Sequence, residues 1–265
     1  FLTPTPAEPV MKWMSYRLSR NRRLLQTVCR VSLLFGLLFV SVNARAYRPF
    51  DSTDADVADA AELEIELGYF GWERAEGDSV YFTPQLVLNY GLTSAFEVIA
   101  EFDVEHDPGG KSQLIDPGIF LKTVIKQGVL QERPGVSFAL EVGALLPSAI
   151  SEEDRTGFEA IGIVSGMLSS YTWHLNFGGG VDRIDHNSFS LWGVIIERPV
   201  SPSLRFVAEL NGEKLNNEAV ENSALIGFIW EPESVPDMVF DVGIRHGVSD
   251  EAADWGATLG LTFSF

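Results

Sequence analysis

The chain has 265 residues, a single cysteine and a formal net charge of −18 at neutral pH. Residues 1–46 hold seven of the 19 Lys and Arg residues but only one of the 37 Asp and Glu residues. The remainder therefore contains 12 basic and 36 acidic residues, which gives a net charge of −24. Such an acidic body excludes nucleic acid as a partner, because the phosphate backbone attracts positively charged proteins.

Residues 1–46 combine basic side chains with a short apolar run. Six Lys and Arg residues precede the uncharged stretch 31–42, and Ala44-Arg45-Ala46 follows it. This stretch is too short to cross about 30 Å of hydrocarbon, which takes about 20 helical residues. The pattern predicts upstream residues and a cleaved signal peptide, with a mature chain that begins near Tyr47. The single Cys29 would be removed as well, so the mature protein would contain no disulfide.

Residues 254–265 alternate strictly between two kinds of side chain. Apolar or aromatic residues occupy every second position back from Phe265, with small or polar residues between them. A period of two predicts a strand with one apolar face. A terminal phenylalanine on such a strand is typical of outer-membrane barrels, which pair their last strand with their first. We expect Leu259, Leu261, Phe263 and Phe265 to form the signal that the barrel-assembly machinery recognises.

The same alternation recurs from residue 62 onwards, in segments of about 9 to 13 residues that suit tilted membrane strands. An even number of strands is typical of bacterial barrels. We therefore predict an all-β fold, an antiparallel up-and-down transmembrane β-barrel of about 12 strands over residues 61–265, preceded by a periplasmic segment over residues 47–60. The predicted strands are 62–69, 79–90, 96–105, 118–126, 135–146, 157–168, 171–184, 188–197, 204–213, 222–230, 238–247 and 254–265.

The connections between these strands alternate in character. Short turns that contain Gly, Pro or Ser are expected on the periplasmic side, and acidic stretches with Gly on the external side. The predicted turns are 91–95, 169–170, 198–203 and 231–237, and the predicted loops are 74–78, 106–115, 148–156, 213–221 and 249–253.

Alternation alone leaves open which face points inward, because soluble lipocalin-like barrels have an apolar interior. The strand number, the signal peptide and the terminal phenylalanine all favour a membrane barrel. Aromatic residues near the predicted strand ends also match the interfacial girdles of membrane barrels. These residues are Tyr69, Trp72, Tyr81, Tyr90, Phe96, Tyr171, Trp173, Trp192, Trp230 and Trp255.

The start of the mature chain, residues 48–56 leading into 62–68, resembles that of a family of Gram-negative outer-membrane barrels. These proteins are assigned as transporters and are related to the MetA-pathway-of-phenol-degradation proteins. Further short segments similar to the family are 89–93, 116–118, 173–178 and 207–210. The resemblance implies a barrel that takes up small solutes, aromatic or hydrophobic compounds among them, and it supplies no catalytic residue. The connection over 126–134 is longer than the family pattern.

If the apolar face meets lipid, the charged side chains must face the lumen. A charge that faces lipid at mid-bilayer costs about 2–4 kcal/mol. An acidic lumen would favour cations and neutral polar solutes and would disfavour anions. The candidate selectivity residues are Glu62, Glu64, Glu66, Glu97, Glu101, Asp103, Lys122, Glu141, Glu159, Arg205, Glu209, Asp241 and Arg245.

Three functions stay open. Barrels of twelve strands lie between the filled eight-stranded and the open sixteen-stranded ones. Passive or gated passage of small solutes is therefore one hypothesis, and a structural envelope barrel with a closed lumen is a second. A third is a lipid-modifying outer-membrane hydrolase, because His186 and Ser188 lie two positions apart and an imidazole can deprotonate a hydroxyl.

We predict no metal and no cofactor. The acidic stretch 103–107 lacks a calcium-binding pattern, and His174 with Asn176 and Asp182 favours a hydrogen-bond network in the lumen. The passage hypothesis implies no catalysis and an outer-membrane location in a Gram-negative bacterium. Its partners would be outer-membrane lipids and lipopolysaccharide, the barrel-assembly machinery and small-molecule solutes.

Overall fold

The computed structural model describes residues 48–75, 77–149, 153–235 and 237–265. The predicted signal peptide lies outside these residues. Twelve strands are formed, each alternating between two faces. They are β1 (Leu63–Ala75), β2 (Asp78–Thr93), β3 (Phe96–His106), β4 (Ser112–Lys126), β5 (Ser137–Leu145), β6 (Gly157–Leu168), β7 (Tyr171–Val181), β8 (Ser188–Ser201), β9 (Leu204–Leu215), β10 (Glu221–Trp230), β11 (Met238–Gly247) and β12 (Trp255–Ser264).

The strands form a closed antiparallel barrel in which each pairs with its neighbours in sequence and β1 pairs with β12. The predicted fold class and strand number are therefore confirmed. In the β1–β12 seam, Leu67 lies opposite Leu261. The Leu63 amide donates a hydrogen bond to the Phe265 carbonyl (3.1 Å), and the Phe265 amide donates to the Leu63 carbonyl (3.0 Å). This seam leaves no unpaired sheet edge.

Two strand bounds differ most from the prediction: β1 extends to Ala75 rather than ending at residue 69, and β4 begins at Ser112 rather than at residue 118. Asp116 has a left-handed φ of 49°, and the pairing of β3 with β4 shifts its register there. This bulge breaks the period of two at one place without ending the strand. The sequence prediction therefore placed a loop before residue 118, where the strand continues.

The outer face of the barrel is apolar. Large exposed hydrophobic side chains project from it on every strand, such as Ile119 on β4, Phe177 on β7 and Ile226 on β10. Of the ten predicted girdle aromatics, eight are exposed, near both ends of the strands; Trp72 and Trp173 are half-buried. An apolar band with aromatic residues at its two rims is the surface that a lipid bilayer requires.

The connections at the end where β1 begins are mostly tight. Residues 94–95, 169–170 and 202–203 each link two strands. The connection from β10 to β11 is longer. The longest joins β4 to β5, as its length in the sequence predicts, and contains a short 3-10 helix over Val129–Gln131. The Gln131 side chain closes this turn by accepting a hydrogen bond from the Gly128 amide at 3.0 Å. No helix among the described residues is long and apolar enough to cross a membrane.

On β12, the predicted assembly residues Leu259, Leu261 and Phe263 alternate with the buried Gly260, Thr262 and Ser264. Replacing Phe263 and Phe265 with Ala should reduce the amount of folded, membrane-inserted protein several-fold, because the apolar outer face of the free C-terminal strand is lost before the seam closes. Heat-modifiable electrophoretic mobility of membrane fractions measures the folded amount.

The matched control replaces Phe206 and Phe228, whose rings meet edge to face on the outer face with centroids 5.6 Å apart. This pair removes similar apolar surface from β9 and β10, away from the seam. Equal loss of folded protein in both double variants would show that Phe263 and Phe265 have no special role in assembly.

Candidate functional site: the barrel lumen

The inner wall of the barrel carries the charged side chains. All thirteen candidate selectivity residues point into the lumen, and eight of them are buried. The wall is not uniformly polar, because Ile99, Phe120 and Ile161 are buried on it as well. The structure thus places these charges on the inward face, and their influence on selectivity stays a prediction.

The lumen also contains part of the chain itself. Residues 48–59, here called the lumen segment, contact inward side chains of β1, β3, β4, β6, β7, β9, β11 and β12. Residues 47–60 were predicted to be a separate periplasmic segment. Residues 48–59 instead lie against the inner wall, because their amides and charged side chains find partners there. The compartment that the segment faces stays a prediction.

Arg48 fixes one end of the lumen segment to the β1, β2, β11 and β12 wall. Its amide donates to Glu66 Oε2 at 3.2 Å, and its Nη2 donates to Thr258 Oγ1 at 2.6 Å and Gln85 Oε1 at 3.3 Å. Its Nε lies 3.8 Å from Asp241 Oδ1, whose side chain is fully buried. The guanidinium therefore supplies positive charge where buried carboxylates require it.

Asp51 and Ser52 contact the part of the wall that β9 and β11 form. Their amides donate to the two oxygens of Glu209, at 3.1 and 2.9 Å respectively. The Asp51 carboxylate accepts hydrogen bonds from Arg245 Nη2 at 2.5 Å and from Asn211 Nδ2 at 2.6 Å. Glu209 thus binds two backbone amides of the segment, so this contact depends on how the chain is placed.

Thr53 and Asp54 meet β4 and β7 near the middle of the lumen. The Lys122 ammonium donates to Thr53 Oγ1 at 2.9 Å and lies 3.6 Å from Asp54 Oδ1. Asn176 binds the Thr53 backbone twice, accepting from its amide at 3.1 Å and donating to its carbonyl at 2.7 Å. The Asn176 side chain therefore pairs with the Thr53 backbone in the way that the backbone of a neighbouring strand would.

Ala55 is bound by a chain of buried polar side chains on β6, β7 and β8. The Ala55 amide donates to Ser165 Oγ at 3.0 Å, Ser165 Oγ lies 2.8 Å from His174 Nδ1, and His174 Nε2 lies 2.9 Å from Glu197 Oε1. Because the carboxylate can only accept, Nε2 carries a proton, and a neutral imidazole then accepts the serine proton at Nδ1. His174 belongs to a lumen network, as predicted, whereas Asp182, predicted with it, accepts backbone amides of the β7–β8 connection instead.

The far end of the segment returns to the barrel rim. The Ala58 amide donates to Glu97 Oε2 at 2.5 Å, and the Asp59 amide donates to Glu62 Oε2 at 3.1 Å. Gln131, in the β4–β5 connection, donates from Nε2 to the Ala55 carbonyl at 2.7 Å. The long β4–β5 connection therefore reaches into the lumen and binds the segment.

Two glycines on the wall provide room for the lumen segment. A Cβ atom at Gly193 would collide with the Ser52 side chain, and one at Gly91 would collide with the carbonyl oxygens of Ala58 and Asp59. Gly193 lies on the inner face of β8, between the buried Ile195 and the inward Leu191. The close approach of backbone and segment explains why neither position carries a side chain.

The segment does not fill the lumen. A cavity of about 590 Å³ remains between it and the wall formed by β1 to β6, and residues of the β4–β5 connection line it as well. Water or a small solute can occupy a space of this size. The cavity and the contacts of the segment together define the candidate functional site.

The pair proposed for a hydrolase does not form a catalytic arrangement. His186 lies in the connection before β8, where its amide donates to Asp182 Oδ1 at 2.9 Å, and both His186 and Ser188 are exposed. No hydrogen bond joins the His186 ring to the Ser188 hydroxyl among the described contacts. Within the described ranges, no group of three or more His, Cys, Asp or Glu side chains is arranged to hold a metal ion.

Sequence reasoning selected several wall partners of the lumen segment, such as Glu66, Lys122 and Glu209, but it missed the segment's position and its other partners. Arg48 and Asp51 were noticed only as part of a family-like start, and Ser165, Gln131 and Glu197 were not selected at all. The sequence signal for the lumen segment was its charged residues, since carboxylates that face inward need hydrogen-bond donors. The pairing of distant residues depends on barrel register, which the sequence alone does not supply.

No protein-family model and no curated protein sequence matches this chain. Among solved structures, the fold is similar to that of the NanC porin in a rhombohedral crystal form, with a TM-score of 0.57 and 9% identity over 76% of this chain and 98% of that chain. The KdgM porin in complex with disordered oligogalacturonate gives 0.54 and 9%, over 76% and 99%. At identities this low, the structural similarity shows a shared barrel fold and nothing further.

Replacing Glu209 with Ala should loosen the lumen segment while the barrel stays folded. The variant removes both acceptors of the Asp51 and Ser52 amides, and hydrogen bonds to charged acceptors contribute about 1.5–3 kcal/mol each. Hydrogen exchange at these two amides should therefore accelerate by roughly tenfold or more. Hydrogen-exchange mass spectrometry of the refolded protein measures the rate.

Glu213→Ala is the matched control, since it removes a carboxylate from the same strand without a hydrogen bond to the described part of the segment. Unchanged exchange at residues 51 and 52 in Glu209→Ala would contradict the assigned contact. Acceleration across the β-strands would instead indicate that the variant unfolds the barrel.

Proposed function

We propose that the protein is an outer-membrane barrel that gives small solutes gated passage, with the lumen segment as the gate. The observation that carries the proposal is the position of residues 48–59 inside a charged lumen, held by hydrogen bonds and ion pairs. Noncovalent polar contacts of this kind can exchange with water. The segment can therefore leave the wall without breaking the strands of the barrel.

The surface and the fold support the membrane location. The exposed apolar band, the aromatic residues near the strand ends and the closed seam are properties that outer-membrane barrels share. Two solved barrels with the same fold are named porins, which supports passage as the general function. Lipids and lipopolysaccharide would surround the barrel, and the barrel-assembly machinery would insert it.

Charge in the lumen supports a preference among solutes. The inward carboxylates exceed the inward Lys and Arg residues, so the lumen should attract cations and repel anions. Neutral polar solutes would pass with less discrimination. The aromatic and hydrophobic substrates that the family resemblance implies remain a further prediction.

A closed structural barrel is the second candidate, because the lumen segment narrows the path in the described structure. A barrel whose segment never leaves would contribute only to the envelope. The hydrolase hypothesis has less support. Among the described residues, no hydrogen bond joins the His186 ring to the Ser188 hydroxyl, and the Ser165 hydroxyl that meets His174 is fully buried beneath Ala55.

A disulfide between the segment and the wall should abolish passage. The Ala55 amide lies 3.0 Å from Ser165 Oγ, and residues 47–265 contain no cysteine, so Ala55→Cys and Ser165→Cys introduce one possible pair. We expect openings in planar-bilayer recordings of the parent, none in the oxidised double variant, and openings again after reduction.

The two single-cysteine variants control for the substitutions themselves and should open in either redox state. Openings that persist in the fully oxidised double variant would contradict gating by the segment. A parent that shows no openings under any voltage would favour the closed structural barrel.

Neutralising three inward carboxylates should reduce the cation preference. Glu64→Gln, Glu66→Gln and Glu101→Gln together keep side-chain size while removing three charges. The reversal potential under a salt gradient should then move towards zero, with a larger change at low ionic strength because screening is weaker.

The outward neighbours Leu63, Ile65 and Leu67 provide the matched control. Changing them to Val alters the lipid-facing surface and should leave the reversal potential unchanged. An anion-selective parent, or an unchanged potential in the triple Gln variant, would contradict the role assigned to the inward carboxylates.

A further inference from the structure

The barrel binds the lumen segment largely through the backbone of the segment. Over residues 51–55, four amides and two carbonyls make hydrogen bonds to side chains of the barrel. The side chains that make them, here called the backbone-binding residues, are Glu209, Asn176, Ser165 and Gln131. Every peptide presents the same amides and carbonyls, whatever its side chains are. These four residues are therefore suited to bind an extended peptide backbone.

An apolar site precedes the backbone-binding residues. Val207 on β9, Ile229 on β10 and Val239 on β11 form a buried cluster, and the Phe50 side chain packs against it. The cluster faces a wall that is otherwise rich in charge. It therefore favours an aromatic or large aliphatic side chain at the position that Phe50 occupies.

Two positions of the bound segment accept only small side chains. Ser52 lies so close to Gly193 that a Cβ atom on this glycine would collide with the serine side chain. Ala55 is fully buried and packs in a cluster with Ala139 and Ile163. A larger side chain at either position would have to displace the wall, which makes both positions selective by size.

Two further positions meet inward cations. The Asp51 carboxylate accepts a hydrogen bond from Arg245 Nη2, and Asp54 Oδ1 lies 3.6 Å from the Lys122 ammonium. These cations compensate the two carboxylates locally, although the lumen as a whole is acidic. From position 50 to position 55, the barrel therefore fits the pattern aromatic, acidic, small, any residue, acidic, small.

We propose that the solutes of this barrel are short extended peptides of this pattern, which bind the backbone-binding residues when the lumen segment leaves them. The inference rests on the proposed function and deepens it by naming the class of solute. The lumen segment is then a covalently attached competitor of the solute. Since both cannot occupy the same residues, a bound peptide favours the released state of the segment.

The test requires a barrel whose own segment cannot compete, because a tethered segment has an effective concentration of about the millimolar range. Thr53→Pro with Ala55→Pro in the full mature barrel removes two amide donors of the segment and leaves the wall unchanged. Ser52→Pro with Ala55→Pro is a second variant of the same kind, should the first not fold. Heat-modifiable mobility identifies the folded barrels.

The probe is an acetylated and amidated peptide with the sequence of residues 48–55, titrated calorimetrically into barrels in lipid nanodiscs. We expect saturable binding to the proline variant, at least roughly tenfold tighter than to the parent, whose segment occupies the same residues. A matched peptide carries ester oxygens in place of the N–H groups of residues 52 and 55 and keeps every side chain. It should bind roughly tenfold or more weakly, since two hydrogen bonds are lost.

Substitutions in the wall of the proline variant test the assigned residues. Asn176→Ala removes both hydrogen bonds to the peptide backbone at position 53 and should weaken peptide binding by roughly tenfold. The matched control is Asn187→Ala, in the connection from β7 to β8, which should leave the affinity within about twofold.

Absence of saturable peptide binding to a folded proline variant would overturn the proposal, as would equal affinity of the parent and the proline variant. Equal binding of the ester-containing peptide would show that charged side chains alone are recognised, and would also overturn it. A parent that opens in bilayers while the proline variant binds no peptide refutes this inference alone. Peptide binding together with a parent that never opens refutes the gated passage and leaves the peptide site intact.

Discussion

Carboxylates inside a membrane barrel need hydrogen-bond donors, and this requirement organises the lumen. Glu66, Glu209 and Glu97 each accept from a backbone amide of the lumen segment. An inward carboxylate without a donor would be strongly unfavourable in such surroundings. At these three positions the wall and the segment satisfy each other, because the strands supply acceptors and the segment supplies amides. The glycines of the wall leave room for this arrangement.

The same contacts explain how a closed lumen could open. Each is a single hydrogen bond or ion pair to a group that water or a cation can replace, and none joins the segment to the sheet ladder. The strands are held instead by pairing between neighbours and by the β1–β12 seam. The stability of the barrel and the occupancy of its lumen by the segment therefore depend on different interactions. This separation allows the segment to move while the barrel keeps its fold.

Much of the fold followed from the sequence, because a period of two is a local property. The facing of β1 and β12 was predicted from Glu64, Glu66 and the alternation before Phe265. The start of β4 was missed since the bulge at Asp116 breaks that period. The lumen segment was missed for a different reason. Its partners, such as Ser165 and Gln131, are distant in sequence, and only the closed register brings them together.

The most direct test of the account is the reactivity of a cysteine placed on the lumen segment. Ala55 is fully buried, so an Ala55→Cys variant should react with a charged, membrane-impermeant thiol reagent about a hundredfold more slowly than Asp107→Cys on an exposed connection. The rate should rise when Glu209→Ala is added, because the segment then loses two of its acceptors. Equal rates at positions 55 and 107 in otherwise unmodified barrels would show that the segment does not occupy the lumen.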